Sequence, residues 1–156
     1  MTDRSVAHGS FTIERTYPAS PARVFAAFAS LEAKSRWFGP PAETFTGDQE
    51  LDFRVGGREL FTSKHENASY TFEAVYYDIV PDQRIVTAYE MYQDDARMSV
   101  SVATVELTPA GNGTHLVLTE QGAFLDGIDK NEYRQQGTTG LLDKLGEILQ
   151  AEAAAN

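Results

Sequence analysis

The chain has 156 residues, no cysteine and a formal net charge of −10, from 23 acidic and 13 basic side chains. A domain of this length can bury a large core, and the negative charge opposes binding to nucleic acid or to anionic membranes. The missing thiols exclude disulfides and cysteine chemistry, and the sequence shows neither a secretion signal nor a membrane-spanning apolar run, so we expect a cytoplasmic protein with no membrane insertion.

The predicted elements begin with a strand over residues 10–17, where apolar and polar side chains alternate. Ser20 followed by Pro21 is a typical helix start, because serine caps a helix and proline fits its first position. We therefore predict a short helix from this point, and a second one over residues 31–37 after Ser30.

The next segment reads as strands separated by turn residues such as Pro81-Asp82 and Asn112-Gly113. The connections are too short for parallel pairing, so consecutive strands should be antiparallel. The predicted strands cover residues 43–53, 58–65, 70–79, 84–91, 97–107 and 114–124.

Over residues 129–152 apolar residues recur with the period of an α-helix, which predicts a helix about 36 Å long. Such a helix would cross the whole sheet, and we expect one α+β domain over residues 1–156, with a curved antiparallel sheet wrapped around it. Gly137, Gly140 and Gly146 lie inside this helix. They indicate either close approach or room for a ligand, or else a kink or a late helix start.

The alternation within strands predicts which side chains face inward. In the strand over 97–107 the apolar alternate positions are first Met98, Val100 and Val102. After residue 102 the apolar residues occupy the other alternate positions, which predicts a bulge near residues 102 and 103. In the last strand Glu120 falls on the inward side. A carboxylate there must be paired or neutral, and Arg58 and His65 are its predicted partners.

Recognised catalytic motifs are missing from the sequence. The three histidines are scattered, so no metal site is expected, and no nucleophile elbow, phosphate loop or dinucleotide fingerprint is present. We therefore expect no cofactor, and nothing in the sequence demands catalysis.

Several short motifs occur in a characteristic order: FTIERT from Phe11, SPARVF from Ser20, RWF from Arg36, VGGR from Val55, IVPDQRIV from Ile79, LTEQ from Leu118 and LLDKL from Leu141. Together they resemble the START-like (SRPBCC) superfamily, specifically its AHSA-like family of homologues of the activator of the heat-shock chaperone ATPase, over nearly the whole chain.

The resemblance implies a helix-grip fold, with two short helices after the first strand and a cavity between sheet and long helix. Many relatives carry a tryptophan after the glycine of the last helix, whereas Thr138 follows Gly137 here, and the smaller side chain would enlarge the pocket. The family has no common catalytic residues, so none is assigned.

Three functions follow as hypotheses. The first is binding of a small hydrophobic or aromatic molecule, lipid-like or polyketide-like, unless the same side chains simply fill the core. The second, from the resemblance, is an interaction module that stimulates a chaperone ATPase; a homodimer is also left open. The third is a cyclase-like or hydrolase-like enzyme with Glu120 as general base and Tyr89 or His65 nearby. The predicted ligand-binding residues are Trp37, Phe61, Phe72, Tyr89, Met91, Met98, Val100, Glu120, Leu141 and Leu145.

Overall fold

The computed structural model describes residues 4–39 and 48–155. Its strands are β1 (Val6–Tyr17), β2 (Gln49–Leu51), β3 (Arg58–His65), β4 (Ala68–Val80), β5 (Arg84–Gln93), β6 (Ala96–Ala110) and β7 (Gly113–Leu125). Its helices are α1 (Pro21–Ala26), α2 (Leu31–Lys34) and α3 (Asn131–Ala155). Within the described residues the strands form one antiparallel sheet in the order β1-β7-β6-β5-β4-β3-β2, which confirms the predicted α+β helix-grip class.

Local sequence signals account for most element boundaries. The Ser20 hydroxyl accepts a hydrogen bond from the Arg23 amide at 3.2 Å, and Pro21 is the first residue of α1, as the cap pattern predicts. Helix α2 is shorter than expected and ends at Lys34. Of the strand predicted over 43–53, residues 43–47 lie outside the described residues, and Gln49–Leu51 is the part that forms a strand.

The predicted bulge near residues 102 and 103 is wrong, because β6 pairs with β7 without interruption there. The irregularity lies between β5 and β6 instead: Met91 pairs with Ser99 whereas Tyr92 pairs with Arg97, so Met98 is the extra residue. A single extra residue exchanges the two faces of a strand for every residue that follows it.

The inward side chains of β6 beyond the bulge are therefore Ser99, Ser101 and Ala103. Val100 and Val102, predicted to face inward, lie on the outer face of the sheet with 43% and 40% of their surface exposed. The outer face of β6 is thus more apolar than its alternation suggests.

Helix α3 is continuous through its three glycines and packs its C-terminal half onto the sheet. Leu142, Leu145 and Leu149 are buried there. The hydroxyl of Tyr17, in β1, donates a 2.7 Å hydrogen bond to the Leu142 carbonyl, which fixes the helix against the edge of the sheet. No helix among the described residues is long and apolar enough to span a membrane.

Helices α1 and α2 close one end of the interior. The Trp37 indole N–H donates to the Ala27 carbonyl at 3.0 Å, which joins the two short helices. Arg23 makes a two-pronged contact with Glu152 of α3 at 2.9 and 2.7 Å, and Arg36 contacts the same carboxylate at 3.2 Å. The short helices and the C-terminal half of α3 are thereby held together, while the N-terminal half of α3 borders a cavity.

Candidate ligand-binding cavity

A cavity of about 400 Å³ lies between the inward face of the sheet, the region around α2 and the N-terminal half of α3. This volume lies within the range of small-molecule sites, which are typically apolar with a few placed polar groups. Its floor includes Ile85, Val105 and Leu118. The rings that line it are those of Phe28, Trp37, Phe38, Phe61, Tyr70, Phe72, Tyr76, Tyr89 and Tyr133.

Four of these rings form a continuous aromatic wall: Phe38, Phe61, Phe72 and Tyr89. The Phe38 ring lies 5.2 Å from that of Phe61 and 5.0 Å from that of Phe72, both in edge-to-face geometry. The Phe72 and Tyr89 rings lie 4.8 Å apart with a tilt of 36°. Aromatic rings at these separations interact favourably, and together they form a surface suited to a flat ligand.

A buried polar cluster, formed by Glu120, Tyr89 and Arg134, lies at the Tyr89 end of this wall. The Tyr89 hydroxyl donates a 2.5 Å hydrogen bond to Glu120 Oε1 and accepts one of 3.0 Å from Arg134 Nη1. Glu120 is 6% exposed and borders the cavity. The inward position predicted from strand phase is therefore where the structure places it.

Burial raises the pKa of Glu120 above its usual range, against the smaller opposing effects of the Tyr89 hydrogen bond and the Arg134 charge. Burial and the nearby carboxylate likewise raise the pKa of the Tyr89 hydroxyl, which therefore keeps its proton and acts as a donor. The cluster thus combines a proton-holding phenol with a carboxyl group that favours its neutral form more than an exposed glutamate does.

Arg134 connects this cluster to surrounding elements. Its Nη2 atom donates to Ser99 Oγ at 2.8 Å and to Asp129 Oδ2 at 2.9 Å, and its guanidinium lies over the Phe124 ring at 5.3 Å. The guanidinium charge is thus compensated by Asp129, and its geometry orients the Tyr89 hydroxyl.

A second buried cluster consists of Lys34, Glu59 and Tyr76. Lys34 Nζ lies 2.8 Å and 2.7 Å from the two carboxylate oxygens of Glu59, and the Tyr76 hydroxyl donates a hydrogen bond to Oε1. Glu59 is 1% exposed, whereas Lys34 and Tyr76 border the cavity. Lys34 Nζ also lies 4.4 Å above the Phe38 ring, so this cluster lies at the opposite end of the aromatic wall from Glu120.

Tyr133 and Gly137 of α3 line the cavity and are also exposed to solvent, so they mark its opening. A Cβ added at Gly137 would meet no atom within 4 Å. The next residue, Thr138, is buried and faces the cavity, as the resemblance implies. Of the three helix glycines, Gly146 is the one that permits a close approach, since an added Cβ would lie 3.1 Å from the Tyr17 ring.

The structure brings seven of the ten predicted ligand-binding residues together around the cavity: Trp37, Phe61, Phe72, Tyr89, Met91, Glu120 and Leu141. Val100 faces the other side of the sheet because of the bulge, Met98 is buried at that bulge away from the cavity, and Leu145 is fully buried in the core under α3. The predicted partners of Glu120, Arg58 and His65, are exposed in β3, so that prediction was wrong. The enzymatic role of Glu120 stays a prediction.

Sequence reasoning missed Lys34, Glu59 and Arg134. Glu59 lies two residues before Phe61, a predicted lining residue, so the alternation of the strand places both on the same face. Arg134 precedes Thr138 and Leu141 by four and seven residues, which is the spacing of one helix face. Both patterns were visible, but a charged residue is ordinarily assigned to the solvent side.

Comparison with known proteins gives a consistent result. The model of the family described as Activator of Hsp90 ATPase homolog 1-like protein matches residues 18–150. A search of the curated proteins found no match.

Two solved structures are similar over almost their full length. The Mll3558 protein from Rhizobium loti is 48% identical with a TM-score of 0.85, covering 92% of this chain and 98% of that one. An uncharacterized protein from Rhizobium leguminosarum is 42% identical with a TM-score of 0.90, covering 96% and 99%. The chain thus belongs to the Activator of Hsp90 ATPase homolog 1-like family, within the START/SRPBCC superfamily.

Proposed function

We propose that the protein binds a small, largely apolar molecule with at least one aromatic ring in the cavity between the sheet and α3. The observation that carries the proposal is the space of about 400 Å³ beside the aromatic wall. Side chains in protein interiors normally pack closely and leave few voids larger than a water molecule. Space of this size, with an opening at Gly137, is better explained by a ligand than by core packing.

The lining favours rings over simple alkyl chains. The edge-to-face contacts of Phe38 with Phe61 and Phe72 leave ring faces and edges to which another ring can add with the same geometry. The charged groups that line the cavity lie around Glu120 and around Lys34. A flat molecule lying along the wall would bury its apolar surface in the middle.

A fluorescent probe tests this proposal. N-phenylnaphthylamine is apolar and aromatic, and its emission rises when it leaves water, so titration with the protein should give a saturable increase at one site per chain. Trp37, the single tryptophan of the sequence, lines the cavity, and its emission should change in the same titration.

Two variants with the same substitution separate the cavity from the outer surface. Ala103→Leu adds volume on the cavity side of β6 and should weaken probe binding, whereas Ala88→Leu adds it on the outer side of β5 and should leave binding unchanged. No saturable binding by the wild type, or equal weakening by both variants, would refute the proposal.

The family match favours a second candidate function, stimulation of a heat-shock chaperone ATPase, which is the activity named in the family description. The test is the ATPase rate of the Hsp90-type chaperone from the same organism, measured with and without this protein. A rate that stays unchanged at saturating protein, together with no capture of the chaperone, would remove this candidate.

A further inference from the structure

The two oxygens of the Glu120 carboxyl group have different surroundings. Oε1 accepts the hydrogen bond of the Tyr89 hydroxyl, whereas no described residue donates a hydrogen bond to Oε2. A carboxylate can accept about four hydrogen bonds, so Oε2 keeps acceptor capacity for a further donor. Glu120 is 6% exposed and borders the cavity, so the cavity is where a donor for Oε2 can be placed.

The donors of Tyr89 and Arg134, the two other members of the cluster, are already engaged. The single hydroxyl proton of Tyr89 is used on Oε1, and its oxygen is held by Arg134 Nη1. The Nη2 atom of the same arginine donates to Ser99 and Asp129. The cluster therefore fixes the carboxyl group in place, and neither Tyr89 nor Arg134 donates a hydrogen bond to Oε2.

We infer that the cavity selects aromatic molecules that carry a hydroxyl or N–H group, and that this group donates a hydrogen bond to Oε2 of the ionised Glu120 carboxylate. The inference rests on the proposed function, and it narrows the ligand class to phenols, aromatic alcohols and aromatic amines. The rest of such a molecule lies along the aromatic wall, and Glu120 is the residue that determines specificity.

The selectivity follows from desolvation. A hydroxylated ligand loses its hydrogen bond to water on entering the cavity and regains one to the carboxyl group, whereas its methyl ether has no proton to donate and leaves Oε2 unsatisfied. Sites built to bind a polar group discriminate strongly against analogues that lack it. On hydrophobicity alone the ether would bind better, so a preference for the phenol indicates a hydrogen-bond acceptor in the cavity.

Three biphenyls test the inference on the wild-type protein: para-hydroxybiphenyl, para-methoxybiphenyl and biphenyl, each competing with N-phenylnaphthylamine near neutral pH. The expected result is that the phenol binds about tenfold or more tightly than the ether. Biphenyl should bind as weakly as the ether, which would show that the missing proton, and not the added methyl group, causes the loss.

Two variants assign the preference to Glu120. Glu120→Gln presents an amide in place of the carboxyl group and should bring the affinities for phenol and ether within about threefold of each other. Glu106→Gln makes the same substitution at an exposed position of β6 that does not line the cavity, and it should keep the wild-type preference.

Equal affinity of the wild type for phenol and ether would overturn the inference and leave the proposed function standing. Failure of all three biphenyls and of the fluorescent probe to bind would overturn both. Since the comparison of ligands uses the wild-type protein, the result does not depend on the folding of any variant.

Discussion

Gly137 and Gly140 lie one turn apart in α3, and a Cβ added at either would meet no atom within 4 Å, yet Gly137 borders the cavity and Gly140 does not. The same substitution at the two positions therefore separates its effect on helix stability from its effect on access to the cavity. A side chain at either position improves the helix, while only one of them lies at the opening.

The first prediction concerns access to the cavity. Gly137→Leu should slow the association of N-phenylnaphthylamine in stopped-flow fluorescence, because the new side chain narrows the opening beside Tyr133. Gly140→Leu should leave the rate at the wild-type value. Both variants should gain up to about 1 kcal/mol in free energy of unfolding, since glycine is a poor helix former. Equal association rates for the two variants would show that ligands enter elsewhere.

The second prediction is a pH dependence of stability. Because burial raises the pKa of Glu120, the folded state holds this proton more tightly than the unfolded state, whose pKa is about 4.3. Stability then falls as the pH rises from that value through the folded pKa, because the folded state must give up a proton that it binds more strongly. Glu120→Gln does not titrate, so its free energy of unfolding relative to the wild type should increase over this window and then level off.

Urea unfolding of both proteins at a series of pH values checks this prediction, since the titration of all other groups cancels in the difference. Asp126 provides a control of opposite sign, because the Ser5 amide and the Arg4 side chain lower its pKa. The stability of Asp126→Asn relative to the wild type should fall, not increase, as the pH rises toward the usual aspartate pKa of about 3.9. A difference for Glu120→Gln that is flat with pH contradicts the burial argument.

The fold could be predicted from the sequence because its signals are local. Period-two alternation correctly placed Phe72 and Tyr89 inward, and turn residues such as Asp82 mark the hairpins. Alternation assigned Val100 to the wrong face of the sheet. The bulge that precedes it depends on how β5 and β6 pair, and the sequence of one strand alone hardly shows it. Val100 and Val102 are apolar although they are exposed, so they supported the wrong assignment of the inward face.

The polar part of the site was harder to predict for a related reason. Strand phase places Glu120 inward, but its partners come from β5 and α3, and no sequence pattern connects Tyr89 with Arg134. The pairing of Lys34 with Glu59 likewise joins a short helix to a strand. Contacts between elements are decided by tertiary packing, which a single sequence does not encode in readable form.

The third prediction tests this buried ion pair. Lys34→Met should lower the free energy of unfolding by about 3–5 kcal/mol, because Glu59 would remain buried without a compensating charge. The double variant Lys34→Met/Glu59→Gln should recover most of the loss, since the amide is neutral and still accepts the Tyr76 hydrogen bond. Urea unfolding of the two variants provides the measurement. A double variant less stable than Lys34→Met would mean that the loss comes from packing and not from the unpaired charge.

The fourth prediction concerns the close approach of α3 to β1. Replacing glycine by alanine inside a helix ordinarily stabilises by about 1 kcal/mol, and Gly140→Ala should do so because its surroundings are open. Gly146→Ala should gain much less or lose stability, since its Cβ would lie 3.1 Å from Cε1 of Tyr17. That ring cannot easily yield, because it is buried and its hydroxyl is hydrogen-bonded to the Leu142 carbonyl.

A double-mutant cycle with Tyr17→Leu decides whether the ring is the cause. In the Tyr17→Leu background the conflict with the ring edge is removed, so Gly146→Ala should recover most of the stabilisation seen for Gly140→Ala, with a coupling energy of about 0.5–3 kcal/mol. Thermal and urea unfolding of the four proteins gives this coupling directly. If Gly146→Ala stabilises the wild type as much as Gly140→Ala does, the helix has room to move away from β1, and the contact between Tyr17 and α3 does not set the position of the helix over the sheet.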